Sequence, residues 1–137
     1  MIRGTMKMKK KTDSSNLDLK KSAFMIQCTN KLYSYKRFVG LKASGNPQIV
    51  YEGSDNYLKA IHGFEDKKSA EEFLVKIITR EGVDLESISP ADIIDYALIT
   101  NSTEFRIVEY SIQDDKLEVI NSYLFNSPNK YISECDD

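Results

Sequence analysis

Several residue types that identify particular protein classes are scarce in this sequence. Its 137 residues include no tryptophan, one histidine and two cysteines. His62, Cys28 and Cys135 match no zinc-ligand spacing, so we expect no metal site. Two cysteines so far apart favour reduced thiols over a disulfide framework, which is typical of a cytoplasmic protein.

Long apolar runs and glycine-rich loops are also missing. No apolar stretch approaches the roughly 20 residues that a membrane-spanning helix needs. The basic N-terminus is not followed by the apolar segment of a secretory signal. The six glycines are scattered, which excludes a phosphate-binding loop. We therefore expect neither a membrane partner nor a cofactor.

A catalytic triad or dyad that requires a histidine would have to use His62, because it is the only histidine in the sequence. Cys28 and His62 could approach each other across strands as a nucleophile and its base. Nothing in the sequence positions a third member or an oxyanion donor, so a structural histidine is the preferred interpretation. We predict no catalytic residue and expect that the protein is not an enzyme.

Charge is distributed unevenly along the chain. Residues 1–51 hold eleven Lys and Arg against two Asp and Glu, whereas residues 52–137 hold eight against nineteen. This asymmetry predicts a basic arm or face for an anionic partner beside an acidic body. Alternatively, the positive charges of the first half and the negative charges of the second half neutralise each other within the fold.

The clearest structural signal is an amphipathic helix in the middle of the chain. Its apolar positions recur at helical spacing and are Ala70, Phe73, Leu74, Ile77 and Ile78. Asp66 is placed to cap the N-terminus and Gly82 to end the helix. A second, short helix is predicted over residues 90–96, because Ser89 and Pro90 form a helix start.

Alternating apolar residues between turn signals predict the strands. The predicted strands are Ala23–Thr29, 32–43, 48–52, 57–64, 97–100, Glu104–Gln113 and Lys116–Phe125. We expect an α+β fold with an antiparallel sheet of five to seven strands and one long and one short helix packed on one face. Residues 22–125 would form this single domain, between a disordered basic arm (1–21) and a frayed acidic tail (126–137).

Two surfaces are candidates for binding. The first is a basic and aromatic segment whose residues are Lys31, Tyr33, Tyr35, Lys36 and Arg37. Its cations suit phosphates and its aromatic rings suit bases, although lysine and tyrosine also occur on edge strands for structural reasons. The second surface is acidic and would suit a basic site on a partner protein. Its residues are Asp84, Glu86, Asp92, Asp95, Asp114 and Asp115.

A loose family resemblance lies within residues 57–78. A predicted strand ending in Gly63 and Phe64, a helix cap and the run Ser69–Leu74 resemble a strand–helix unit common in small accessory proteins of phages. The unit is also similar to the end of the hybrid-binding domain of some ribonucleases H, in which the sheet binds duplex backbones. The first resemblance, which we prefer, implies a cytosolic, non-enzymatic protein that acts on a host component.

These observations lead to two hypotheses about function. In the first, the chain is a non-catalytic interaction protein, encoded by a mobile element, that binds and blocks a host or defence protein. In the second, it is a nucleic-acid-binding module that uses the basic N-terminal arm and the segment from Lys31 to Arg37.

Overall fold

The computed structural model describes residues 22–125, so the expected basic arm and acidic tail lie outside the described residues. Five strands and three helices make up this part of the chain. The strands are β1 (Ala23–Thr29), β2 (Arg37–Leu41), β3 (Pro47–Tyr51), β4 (Glu104–Gln113) and β5 (Lys116–Phe125). The helices are α1 (Tyr57–Ala60), α2 (Lys67–Thr79) and α3 (Pro90–Thr100).

All five strands form one antiparallel sheet in the order β3-β2-β1-β4-β5. The predicted α+β class and the strand number are confirmed. The central strand β1 pairs with β4 along its whole length, but with β2 only at Gln27–Phe38 and Cys28–Arg37. The register between β4 and β5 shifts after Glu109 and leaves Ile120 as the extra residue of a bulge.

The hydrophobic core consists of two clusters. Because neighbouring strand residues point to opposite faces of the sheet, Ile26 and Met25 of β1 belong to different clusters. The first cluster contains buried residues of α2 and α3, including Leu74 and Ile99. The second cluster is joined by Tyr57 and Leu58 of α1. The prediction of one long and one short helix on a single face is therefore not confirmed.

Two predicted strands, 57–64 and 97–100, are wrong, and a third, 32–43, is longer than the strand that the structure contains. Residues 57–60 form helix α1, because Asn56 adopts a left-handed conformation with φ 57° and its carbonyl oxygen accepts the first helical hydrogen bonds. Residues 97–100 continue α3, in which Ile99 is fully buried. Residues 32–36 precede β2 as a loop instead of belonging to it.

The remaining contacts of the 57–64 segment are two isolated bridges, Gly40 to Ile61 and Phe24 to Phe64. Gly40 is needed for the first bridge. A Cβ atom there would lie 2.4 Å from the carbonyl oxygen of Ala60. Only glycine therefore allows β2 and the end of α1 to approach this closely.

Helix α2 begins as predicted, since Asp66 Oδ1 accepts a 2.7 Å hydrogen bond from the backbone N–H of Ser69. Its end differs from the prediction, because the left-handed residue that closes the helix is Arg80, while Gly82, which also has a positive φ, lies two residues further on. Helix α3 also begins as predicted. Ser89 Oγ accepts from the backbone N–H of Asp92, and Pro90 opens the first turn.

None of the helices within residues 22–125 has the length and apolar character needed to cross a bilayer.

Candidate functional site

Three tyrosines meet at one end of the sheet. Tyr33 and Tyr35 stack with their ring centroids 5.3 Å apart, and Tyr35 contacts Tyr51 edge-on at 5.9 Å. Each of the three is more than a third exposed, and the neighbouring Leu32 is 83% exposed. We call Tyr33, Tyr35 and Tyr51 the tyrosine cluster. It combines a large exposed aromatic area with ring-to-ring contacts that restrict the side chains.

Two members of the tyrosine cluster, Tyr33 and Tyr35, lie in residues 30–36, which connect β1 to β2 and are called here the 30–36 loop, and Tyr51 ends β3. Asn30 is buried and organises the start of the loop. Its Oδ1 accepts from the backbone N–H of Leu32 at 2.9 Å, and its Nδ2 donates to the carbonyl oxygen of Asn101 at 3.0 Å. At the other end, Lys36 and Glu52 exchange two hydrogen bonds. The loop is therefore tied both to the end of α3 and to the residue that follows β3.

Arg37 lies beneath this loop and is only 2% exposed. Its Nη1 donates to the carbonyl oxygen of Leu98 at 3.1 Å, and its Nη2 donates to Ser102 Oγ at 2.9 Å. The guanidinium carbon lies 5.9 Å from the centroid of the Tyr33 ring. The negative end of the α3 dipole and the aromatic ring both favour the buried positive charge.

The structure thus separates the five residues of the predicted nucleic-acid surface. Tyr33 and Tyr35 are brought together on the surface, in a loop rather than on the predicted strand. Lys31 and Lys36 are exposed on either side of them. Arg37 is withdrawn into the fold, where its hydrogen bonds serve Leu98 and Ser102. A contact between Arg37 and a phosphate would require that these bonds be broken.

Cys28 and His62 occupy different surroundings. The thiol of Cys28 is completely buried, and burial raises its pKa to about 12 despite the opposing charge of Arg37 and a hydrogen bond with Ser102. The ring of His62 lies edge-on to Phe64 at 4.5 Å, and partial burial lowers its pKa. A thiol in this state is a poor nucleophile. No described contact joins the two side chains.

Two of the six predicted acidic contact residues hold the fold together. Lys42 Nζ lies 2.6 Å from a carboxylate oxygen of both Asp92 and Asp95. Asp92 also accepts from the side-chain amide of Asn46, and Asp95 accepts from the backbone N–H of Ile49. The hydrogen bond with Lys42 lowers the pKa of Asp92, and the same contact raises the pKa of Lys42. These bonds attach α3 to the turn between β2 and β3.

The other four acidic residues lie in two separate turns. Asp84 and Glu86 are exposed in the connection between α2 and α3, where Asp84 Oδ1 accepts from the backbone N–H of Glu86. Asp114 and Asp115 form the two-residue turn between β4 and β5, with φ of 53° and 62°. The six predicted acidic residues therefore lie in three separate local structures: helix α3, the connection between α2 and α3, and the turn between β4 and β5.

Metal coordination finds no support in the described part of the chain. No group of three or more His, Cys, Asp or Glu side chains is arranged to hold a metal ion within residues 22–125.

Sequence reasoning missed two members of the candidate surface. The first is Leu32, for which the sequence predicts only a strand position. The turn that Asn30 and Lys31 indicate continues in the structure through residue 36, and Leu32 lies within it. Tyr51 joins the cluster because it pairs with Arg37 in the sheet. Such a contact between distant segments leaves no signal in the local sequence.

Comparisons with protein-family models, with curated proteins and with solved structures give no match for this chain.

Proposed function

We propose that the chain is a non-catalytic interaction protein that binds a partner protein through the tyrosine cluster and Leu32. The observation that carries the proposal is the exposure of these four side chains, three of which lie on a loop that is hydrogen-bonded at both ends. Tyrosine supplies a large contact area at low entropic cost and is enriched among residues that dominate binding energy. Because the loop is already ordered, binding requires little further immobilisation.

The burial of Arg37 supports a protein partner over a nucleic acid. The guanidinium group is the strongest phosphate ligand in the segment, and it is bonded internally. The part of the surface that remains exposed is mainly aromatic and aliphatic, with one lysine on each side. This composition is closer to a protein interface than to a phosphate-binding groove.

For the kind of partner, the proposal relies on the resemblance between residues 57–78 and phage accessory proteins. On that basis the partner would be a host or defence protein in the cytoplasm, which the chain binds and blocks. The helical half of the resemblance, from the Asp66 cap to Leu74, agrees with α2, whereas the expected strand before it is replaced by α1. Asp84 and Glu86, with exposed side chains, remain a second proposed contact for a basic partner.

Affinity capture from a lysate of the cells that carry the gene tests this proposal. The immobilised chain is compared with the double variant Tyr33→Ala/Tyr35→Ala after nuclease treatment, and bound proteins are measured by mass spectrometry. The matched control is Tyr123→Ala, because Tyr123 is exposed to a similar degree on β5. We expect a protein that the wild type and the control retain and that the double variant loses. Equal retention by all three chains would exclude the tyrosine cluster as the contact.

Nucleic-acid binding is the second candidate function, favoured by one observation. Tyr33 and Tyr35 are stacked and exposed between Lys31 and Lys36, an arrangement on which bases can stack. If this function is correct, affinity for random single-stranded DNA or RNA falls steeply with salt and falls again in Lys31→Gln/Lys36→Gln. A dissociation constant above about 100 μM at low salt would exclude it.

A further inference from the structure

Helix α3 buries Tyr96 and Ile99 in the core, but it is unusual in that two of its acidic residues are bonded within the fold while two isoleucines are exposed. Asp92 and Asp95 both bind Lys42, beside β3. Ile93 and Ile94 are exposed instead, Ile94 to 57%, and Ala97 follows one turn later on the outer side. A surface helix normally presents polar residues to water. The outer face of α3 therefore lacks the partner that its composition suits.

A groove of about 480 Å³ runs along this outer face. It is lined by residues of α3 and the position after it, together with one residue at the end of α2. The lining residues are Arg80, Ile94, Ala97, Leu98, Thr100 and Asn101. Arg80 is the one charged residue among them. The groove thus has an apolar wall of isoleucine, alanine and leucine and a single cation at its side.

Arg80 is held at the groove by the way α2 ends. It closes the helix in the left-handed conformation with φ 58°, and its guanidinium carbon lies 5.1 Å from the centroid of the Tyr96 ring. Its Nε is buried without a hydrogen-bond partner. Within residues 22–125, Arg80 takes part in no ion pair. A positive charge fixed in this way is available to an anionic group on a ligand.

Two lining residues of the groove are hydrogen-bonded to the first residue of the 30–36 loop and to the residue that directly follows this loop. Leu98 lines the groove, and its carbonyl oxygen accepts the hydrogen bond from Arg37 beneath the 30–36 loop. Asn101 also lines the groove, and its carbonyl oxygen accepts from Asn30 in that loop.

We propose that this groove binds an acidic, apolar segment of a partner protein, whose carboxylate pairs with Arg80 while an aliphatic or aromatic side chain packs between Ile94 and Leu98. The inference rests on the proposed function, since it takes the partner to be a protein, and it adds the chemistry of the bound segment. Charge complementarity with Arg80 selects the carboxylate. The uncharged lining selects the apolar side chain.

A random 12-residue peptide library displayed on a carrier tests the proposal directly. Selection uses the full chain, and peptides that also bind Ile94→Ser are removed by counter-selection. We expect the enriched peptides to share an Asp or Glu next to an apolar residue. In nuclear magnetic resonance titrations such a peptide should shift the signals of Arg80, Ala97 and Leu98. Arg80→Gln should weaken its binding about tenfold, because a charge-assisted hydrogen bond is lost.

One control keeps the result interpretable. Arg106→Gln removes a partly exposed arginine on β4 and should leave peptide binding unchanged. The selection measures binding to the groove alone, so a failure here leaves the capture experiment on the tyrosine cluster unaffected, and the two proposals can fail separately. The proposal is overturned if no groove-dependent peptide is enriched, or if the enriched peptides are basic or uncharged. A dimer of the wild-type chain that Ile94→Ser dissociates would assign the groove to a second copy and also overturn it.

Discussion

Arg37 at the start of β2 and Leu98 in the last turn of α3 are joined by a hydrogen bond of 3.1 Å from Nη1 to the carbonyl oxygen. Sixty-one positions separate the two residues in the sequence. Carbonyl groups in the last turn of a helix lack partners within the helix, and a cation at that end is favoured by the dipole. The same guanidinium group supports the ring of Tyr33. One buried arginine therefore links the end of a helix to the exposed surface that we propose binds a partner.

Replacement of Arg37 by methionine should lower the free energy of unfolding by about 3 kcal/mol, because two hydrogen bonds to a charged group are lost inside the fold. Arg37→Lys should restore little of this loss, since an ammonium group lacks the planar fork that reaches both acceptors. Urea denaturation followed by circular dichroism measures the change. Arg106→Met, which removes a partly exposed ion pair, is the control and should cost under about 1 kcal/mol. If the two methionine variants were equally stable, Arg37 would have no structural role.

The contact of Lys42 with Asp92 predicts how stability depends on pH. The lowered pKa of Asp92 gives stability that is present above its unfolded value of about 4 and is lost as pH falls through the folded value. The raised pKa of Lys42 gives stability that is present below about 10.4 and is lost as pH rises through the folded value. The difference in unfolding free energy between wild type and Lys42→Met should therefore be constant near neutral pH and narrow at both extremes.

Thermal unfolding from pH 2 to pH 11 measures this difference. Lys59→Met on α1 is the matched control, because Lys59 is exposed and its variant should show no narrowing. If the difference in unfolding free energy between wild type and Lys42→Met were the same at every pH, the ion pairs of Lys42 would contribute nothing to stability.

The buried thiol of Cys28 should resist modification. In a Cys135→Ser background, iodoacetamide at pH 8 should label the folded chain at least about 100-fold more slowly than the chain unfolded in guanidinium, since burial both shields the sulfur and disfavours the thiolate. Mass spectrometry over time follows the reaction. Comparable rates in the two states would show that the first core cluster opens readily, and would reopen a role for Cys28 as a nucleophile.

The turn formed by Asp114 and Asp115 offers a test of the acidic surface. Both residues have positive φ, which a two-residue hairpin turn requires and which Asn-Gly adopts more easily. The double variant Asp114→Asn/Asp115→Gly should keep the fold and gain about 0.5–1 kcal/mol of stability while it loses two charges. Urea denaturation gives the stability. A loss of stability would contradict the turn geometry, and a loss of partner binding without a loss of stability would assign these acids to the interface.

The elements with strong local signals could be predicted from the sequence. Helix α2 follows from its apolar face and the cap at Asp66, both of which depend on neighbouring residues. The turn signal of residues 53–56 predicts a strand after it, whereas the left-handed Asn56 begins a helical turn there. The prediction of a strand at residues 97–100 is also wrong. Their helical state depends on the burial of Ile99 and on the hydrogen bond from Arg37 to Leu98, which involve distant segments.

In the candidate site, too, features that depend on neighbouring residues could be predicted from the sequence, and features that depend on distant segments could not. The sequence predicts Tyr33 and Tyr35 on one face of a strand, and the structure brings them together on a loop instead. The burial of Arg37 could not be predicted, because it depends on where α3 ends relative to β2. The pairing of Tyr51 with Arg37 depends on strand register, which the turn at residues 42–46 determines. The groove beside Arg80 requires the orientation of α3, and that orientation is fixed by Lys42.

The central claim is tested most directly by measuring how tightly the captured partner binds. Its dissociation constant is determined for wild type, for Tyr33→Ala/Tyr35→Ala and for Tyr123→Ala. Each tyrosine at the centre of an interface contributes on the order of 2 kcal/mol, so the account predicts at least about a 100-fold weaker complex for the double variant. The Tyr123→Ala control should bind within about twofold of wild type. A double variant that binds as tightly as wild type would contradict the account.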